Sequence, residues 1–252
     1  SGRVFSCPFP DRTVKRRTGL SILCRRASIE HPAQPQKGPG TSVAAGTAKK
    51  KTTSSRRRNR PSPRQRLLDS ATNLFTTEGI RVIGIDRILR EADVAKASLY
   101  SLFGSKDALV IAYLETLDEQ YRQAWEQRTK DMTDADDKIL AFFDMAIAEE
   151  PGKEFRGSHF QNAANEYPRP EAESEHGIVA AAHEHRRWMH QTMTDLLTAK
   201  NGYPSATQAN QLLIFLDGGL AGARFAREVT PLQTARDLAR QMLSAPPADY
   251  SI

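Results

Sequence analysis

Small and hydrogen-bonding side chains cluster where a helix could meet nucleic acid: Ala97, Ser98 and Ser101, with Tyr100 at their edge and Lys96 just ahead. The major groove admits one helix. Short side chains let that helix approach closely enough for hydroxyls and a lysine to reach base edges or phosphates. A second group is basic. Lys49-Lys50-Lys51, then Arg56, Arg57, Arg58 and Arg60, then Arg64, place a dense positive run where it can follow a phosphate backbone or enter a minor groove. The same run also fits a solvated linker. Catalytic chemistry has less to stand on. His159, Glu166 and His183 are the residues an enzyme would use, but no nucleophile elbow, phosphate loop or metal-spaced cluster accompanies them. His176, His183 and His190 repeat every seven residues. At about 1.5 Å per residue that spacing keeps them too far apart on one helix to share a zinc ion. No enzyme activity, catalytic residue, cofactor or metal is expected.

Two short helices across a tight turn must carry the first group. In residues 83–109, IGIDRILREADVAKASLYSLFGSKDAL, the side chains Ile85, Ile88, Leu89 and Ala92 recur at three- and four-residue spacing and form one apolar stripe. Asp93-Val94 breaks the run. The following helix is expected to bury Leu99, Leu102 and Phe103, which turns Ala97, Ser98 and Ser101 outward. That is a helix-turn-helix, although periodicity alone would also fit two helices that only pack a core. Upstream, residues 64–80 (RQRLLDSATNLFTTEGI) present Leu67, Leu68, Ala71, Leu74 and Phe75 on one face.

Downstream the chain reads as helices throughout, and strand signals are absent. One long helix runs from Ser105-Lys106 to about Lys130, and another from Asp134 to Glu149, stopped by Pro151-Gly152. Further helices are expected at 155–166, at 171 to about 200, at about 205–227 and at 231–243, with Pro231 at a first helical position. The fold class is therefore all-α with about nine helices: a tail at 1–63, a three-helix DNA-binding domain at 64–105 and a larger helical domain at 106–245.

Charge divides the chain at the same boundary. Residues 1–63 hold fifteen Lys or Arg against Asp11 and Glu30, whereas the remainder carries more acids than bases, so the net charge of +6 belongs to the tail. Rich in proline and without helical period, the tail is expected to be disordered when free, because it cannot bury enough apolar surface to offset its ordering entropy. Both cysteines, Cys7 and Cys24, lie there. The rest thus has no disulfide and fits a reducing cytoplasm. No apolar run approaches the roughly 20 residues of a membrane span. Arg16-Arg17 is not expected to act as an export signal, since the apolar stretch after it is short and interrupted by Arg25-Arg26.

The string from Gly84 to Val110, with the segment 64–80 ahead of it, closely resembles the DNA-binding signature of the TetR family of bacterial transcriptional regulators. Leu99-Tyr100-x-x-Phe103-x-Ser105-Lys106-x-x-Leu109 carries the likeness furthest. Departures fall on Ile83-Gly84, where many relatives have a hydroxyl cap, on Asp93 in place of the turn glycine, and on Gly104 in place of a proline. The resemblance implies a homodimer that binds a palindromic double-stranded DNA operator and releases it when a small-molecule inducer enters the C-terminal domain. In that reading Lys106 holds a phosphate together with the backbone amides at its helix start. The alternative is a nonspecific DNA-binding protein dominated by its basic tail.

Two further sites follow. FRGSHFQNAANE (155–166) resembles a segment that sits beside the ligand cavity in one branch of the family. Phe142, Met145, Phe160, Asn162, Ala163, Glu166, His183, Arg187, Met189 and Phe215 are expected to contribute walls, although the apolar ones also suit an ordinary core. Leu212, Leu216, Gly219, Leu220 and Ala223 form an apolar, small-residue face expected at the dimer interface, or else an internal core.

Overall fold

A computed structural model describes residues 60–245, so Arg56, Arg57 and Arg58 lie outside the described residues. Nine α-helices and no strand occur among them: α1 Pro63–Thr77, α2 Ile85–Ala92, α3 Lys96–Phe103, α4 Lys106–Thr129, α5 Ala135–Glu149, α6 His159–Glu166, α7 Glu173–Asn201, α8 Ala206–Ala226 and α9 Thr230–Ser244. The all-helical class stands. No described helix is long and apolar enough to cross a membrane.

Local chemistry sets most of these boundaries. At α1, Pro63 supplies a preset φ while the Ser62 hydroxyl accepts from the Gln65 N–H. Ser105 caps α4 by accepting from Ala108, and Asp134 caps α5 by accepting from Asp136 and Asp137. Asp93, at φ 49°, ψ 56°, makes the left-handed corner between α2 and α3 that the sequence expects. Gly84, as its lack of a hydroxyl dictates, gives α2 no side-chain cap.

The helix expected from residue 155 begins four residues later. Glu154 and Phe155 have φ of 52° and 57° and Gly157 has φ 74°. Left-handed residues cannot extend a right-handed helix, so the chain turns until the Ser158 hydroxyl, accepting from Gln161, starts α6. The last break also moves. It falls at Arg227, φ 60°, and leaves Pro231 within the first turn of α9.

Two apolar clusters hold the described residues together. The first joins α1–α3 to the start of α4, to Phe160, Ala163 and Tyr167, and to Ile178 and Ala182 of α7. It therefore crosses residue 105. The second gathers α5, the later part of α7, α8 and α9 around Phe142, Phe143, Met193 and Leu212. Within it α8 and α9 approach closely because a Cβ on Gly219 would stand 2.9 Å from Ala235 Cβ, and one on Gly222 would stand 2.7 Å from Pro231 Cβ.

That packing corrects the expected interface face. Leu212, Leu216, Gly219, Leu220 and Ala223 are buried inside the protomer, because the small residues serve the α8–α9 contact. The open side of α8 carries Ile214, Gly218, Ala221 and Phe225 at spacings of four, three and four residues. Phe225 is 94% exposed and Ile214 62%.

Candidate DNA interface and ligand cavity

The α3 surface has the composition that groove reading requires. Leu99 is fully buried and anchors the helix, which leaves Lys96, Ala97, Tyr100 and Ser101 exposed and Ser98 half-buried. Leu102 departs from expectation. It is 41% exposed and adds an apolar edge beside Tyr100, while Phe103 tucks in with the Arg64 guanidinium 5.1 Å from its ring centre. Lys96 sits 3.7 Å from Asp86, an exposed pair that a phosphate can displace. Arg60 pairs with Asp93 at the turn.

Arg66 is a residue the sequence reading missed. It donates to the carbonyls of Ala92 and Asp93, each at 2.9 Å, and to Pro61 at 3.1 Å, so it ties α1 to the α2–α3 turn. Nothing in its local sequence separates it from neighbouring surface arginines.

Lys106 departs from the expected phosphate contact. Its half-buried ammonium donates to the Ile80 carbonyl at 2.6 Å and lies 5.9 Å from the Phe75 ring centre. Desolvation by burial pulls its pKa below the ordinary lysine value. The side chain is an internal tie in this arrangement.

The same loop is held from its other side. Glu166, at the end of α6, accepts from the Ile80 N–H at 2.9–3.0 Å and from the Arg81 N–H at 2.6 Å. Gly79, at φ +110°, makes room, since a Cβ there would lie 3.1 Å from a Glu166 oxygen. Arg81 bonds Glu175 at 2.9 Å and lies over Tyr167, and Ser174 donates to Asp107 at 2.6 Å. Burial pushes the Tyr167 hydroxyl up to about 12, so it stays neutral. Residues 79–81 are thus fixed by α4, α6 and the start of α7 together.

At the other end of α6 lies a cavity of about 340 Å³. Leu117, Tyr121, Ala146, Phe160, Met189, Leu216 and Leu220 give it apolar and aromatic walls, and Gln120, Glu149, Glu150, Lys153, Ser158, His159 and His185 bring polar groups. A depression of about 330 Å³ adjoins it across Phe160, His185 and Met189, and adds Gln161, His183, Arg186 and Asp217. Asp217 is ion-paired to Arg186 and accepts from the Gln161 side chain.

Phe160, Met189 and His183 therefore lie where a wall residue should. The others do not. Phe142 is core, stacked between Tyr121 and Trp125, and Ala163 belongs to the first apolar cluster. Met145 is buried outside the cavity lining, and Phe215 packs against the second cluster. Asn162 bridges the Arg156 carbonyl and Arg224, Arg187 pairs with Glu184 at the surface, and Glu166 serves the loop at residues 80 and 81. Leu216 and Leu220, expected at the dimer face, instead line the cavity.

His185 is a cavity residue that the sequence expectations omit, because the adjoining Arg186 and Arg187 give the segment the character of a charged surface. The legible signal was periodicity: Ile178, Ala182, His185, Met189 and Met193 share the buried stripe of α7. The imidazole is 4% exposed, stacked on Phe160 at 3.7 Å between ring centres, with Nδ1 2.8 Å from Asp118. Burial outweighs Asp118 and holds its pKa below the histidine norm. For Asp118, burial pulls upward, but hydrogen bonds from His185 and Arg122 prevail and hold it below the carboxylate norm. The pair is a neutral histidine on an ionised carboxylate. His159 is shifted further, to about 4, by burial and by Lys153 and Arg156. Among the described residues no group of three His, Cys, Asp or Glu side chains is arranged to hold a metal ion.

Comparison with known proteins matches these features. The family model described as bacterial regulatory proteins, tetR family, matches residues 67–113. A crystal structure of a TetR-family transcriptional regulator from Streptomyces coelicolor is 31% identical, with a TM-score of 0.58, covering 71% of this chain and 95% of that one. A TetR transcriptional regulator from Legionella pneumophila shares the fold at TM-score 0.63 and 21% identity, over 73% of this chain and 98% of that one. The HTH-type transcriptional regulator LmrA of Bacillus subtilis is 34% identical over 80 residues, which span 31% of this chain and only 43% of that protein.

Proposed function

The chain belongs to the TetR family of bacterial regulatory proteins and is a DNA-binding transcriptional regulator, and from that premise we propose that it is a repressor released from a palindromic operator by a small molecule. In this reading Ala97, Ser98, Tyr100 and Ser101 face bases and Lys96, Arg60 and Arg64 face phosphates. Arg56, Arg57 and Arg58 add sequence-independent affinity. The division into a tail, a DNA-binding domain to residue 105 and an effector domain to 245 is kept as a functional one.

One observation carries the coupling. Helix α6 begins among cavity-lining residues, Ser158, His159 and Phe160, and ends at Glu166, whose carboxylate grips the α1–α2 loop. A ligand that displaces Phe160 moves a rigid two-turn rod whose far end holds residues 80 and 81. Only a differential affinity of about 1–3 kcal/mol between the two orientations is needed for effective coupling.

The dimer is assigned to the outer stripe of α8, Ile214, Gly218, Ala221 and Phe225. Such a face is costly to leave in water and gives both copies the same self-complementary surface. Action in the cytoplasm follows from the proposed role.

Selection of bound sequences from a random DNA pool tests the reading, run with the full chain and with a chain starting at Pro61. A palindromic consensus from both supports a dimeric operator reader. Absence of any consensus, with binding lost on truncation, would assign the binding to the basic tail instead.

A further inference from the structure

The cavity beside α6 contains one nearly enclosed acceptor without a protein donor. His185 is 4% exposed, and Asp118, which accepts at Nδ1, is itself held ionised by Arg122 at 2.8 Å. An ionised carboxylate has no proton to give. Nδ1 therefore carries the ring proton and Nε2 is left as a lone-pair acceptor. Among the described residues Nε2 makes no hydrogen bond, and neither does the Tyr121 hydroxyl. Neither atom is sealed within protein, because Arg156 Nε is the only fully enclosed, unpartnered side-chain polar atom in that set. Both residues line the cavity, so its space is where a donor for them would sit.

The charged groups that line that space are already engaged. Glu149 is paired with Lys153 at 2.6 Å, and the Glu150 carboxylate accepts from the Gly157 N–H at 3.0 Å. A charged ligand would lose its hydration and have to compete with these existing partners for a counterion. The remaining walls favour a ring, since Phe160 and His185 stack and Tyr121 meets His185 edge-on at 4.9 Å.

We propose that the effector is an uncharged aromatic molecule with a hydroxyl or N–H group that donates to His185 Nε2 beside the Tyr121 hydroxyl. The inference rests on the cavity being the effector site of the proposed ligand-released repressor. Its acceptor specificity comes from Asp118, which never touches the ligand and acts by fixing the tautomer.

Four naphthalene probes of near-equal size test it against the full chain at pH 7.5 by calorimetry: 2-naphthol, 2-methoxynaphthalene, 2-naphthoate and 2-naphthylmethylammonium. Naphthol should bind at least about tenfold more tightly than either ion. It should also exceed its methyl ether by about threefold to tenfold, the value of one buried hydrogen bond. Tyr121→Phe should keep the bias against ions while weakening naphthol, and His185→Phe should erase the preference for naphthol over the ether. Far-ultraviolet dichroism on each variant checks folding. Tighter binding of either ion, equal binding of the ether, or no binding of naphthol at millimolar concentration would overturn the inference. Tight naphthol binding with unchanged operator affinity would support the ligand chemistry and overturn ligand release, so the two readings fail separately.

Discussion

The Glu166 carboxylate accepts hydrogen bonds from the backbone N–H groups of Ile80 and Arg81, residues more than eighty positions earlier in the chain. Those two amides have no helical partner, because the loop between α1 and α2 must leave its backbone open to turn. One side chain at the end of α6 satisfies both. The contact therefore stabilises the fold and ties the DNA-binding helices to the far end of the cavity helix.

Removing that grip should uncouple the domains. Glu166→Ala leaves the part-buried Ile80 N–H and the exposed Arg81 N–H without their carboxylate and is expected to lower unfolding free energy by about 1–3 kcal/mol, most of it from Ile80. Glu166→Gln, which keeps an acceptor, should lower it less. Urea denaturation measures the loss, and operator titrations with and without effector should show a coupling factor reduced toward one in Glu166→Ala. Unchanged coupling would place the signal in α4 alone.

Gly79→Ala should mimic part of that effect. A Cβ there meets both a φ of +110° and a Glu166 oxygen at 3.1 Å, so a loss of about 1–3 kcal/mol is expected from strain. Gly218→Ala, with nothing within 4 Å, serves as the neutral comparison for protomer stability.

At the DNA face, Tyr100→Ala should remove operator selection with little change in nonspecific affinity, because Tyr100 is exposed on α3 and ties nothing in the protomer. Arg56→Ala, Arg57→Ala and Arg58→Ala combined should weaken binding to all sequences alike and lower the salt slope by about 0.9 for each phosphate left without its arginine. Lys106→Ala should lower thermal stability while leaving that slope unchanged, since its ammonium is engaged with Ile80. Binding isotherms across a salt series separate the three.

Assembly should depend on the outer stripe of α8. Phe225→Glu and Ile214→Glu are expected to yield folded monomers in sedimentation velocity, with operator affinity reduced at least about tenfold by loss of the second half-site. Leu212→Glu, which puts a charge into the protomer core, should instead unfold the chain.

Acid should act through the cavity histidines. In an unfolded chain His159 takes up a proton near pH 6.5, whereas in the folded protein it does so only at about pH 4. Between those values the unfolded state binds more protons, so stability falls as pH drops from 6.5 toward 4 and is unaffected by this group above 6.5. His159→Phe should flatten the stability profile in that window, as read by thermal melts at half-unit pH steps.

Most of the helices and the exposed face of α3 were legible in the sequence alone. Helical periods, Ser and Asp caps and the Asp93 corner are short-range effects, each fixed by residues within one or two turns, and the α3 string from Leu99 to Leu109 is contiguous. Leu102 shows the limit even there, because one helix face must be shared between core and solvent and spacing alone left its side open. The turn at 154–157 was harder to read, since nothing local marks Glu154 and Phe155 as left-handed. Tertiary structure decided which face of each long helix looks inward. Leu216 and Leu220 read as interface, with core only as the alternative, whereas the packing of α9 on Gly219 and Gly222 turns them inward and Ile214 and Phe225 outward. The same is true of the cavity, of His185 on Asp118 and of Glu166 on residues 80 and 81. These sites join segments tens of residues apart, and their geometry depends on which apolar stripes pair, a choice made by the buried volume of the whole assembly of helices and by no stretch of chain alone.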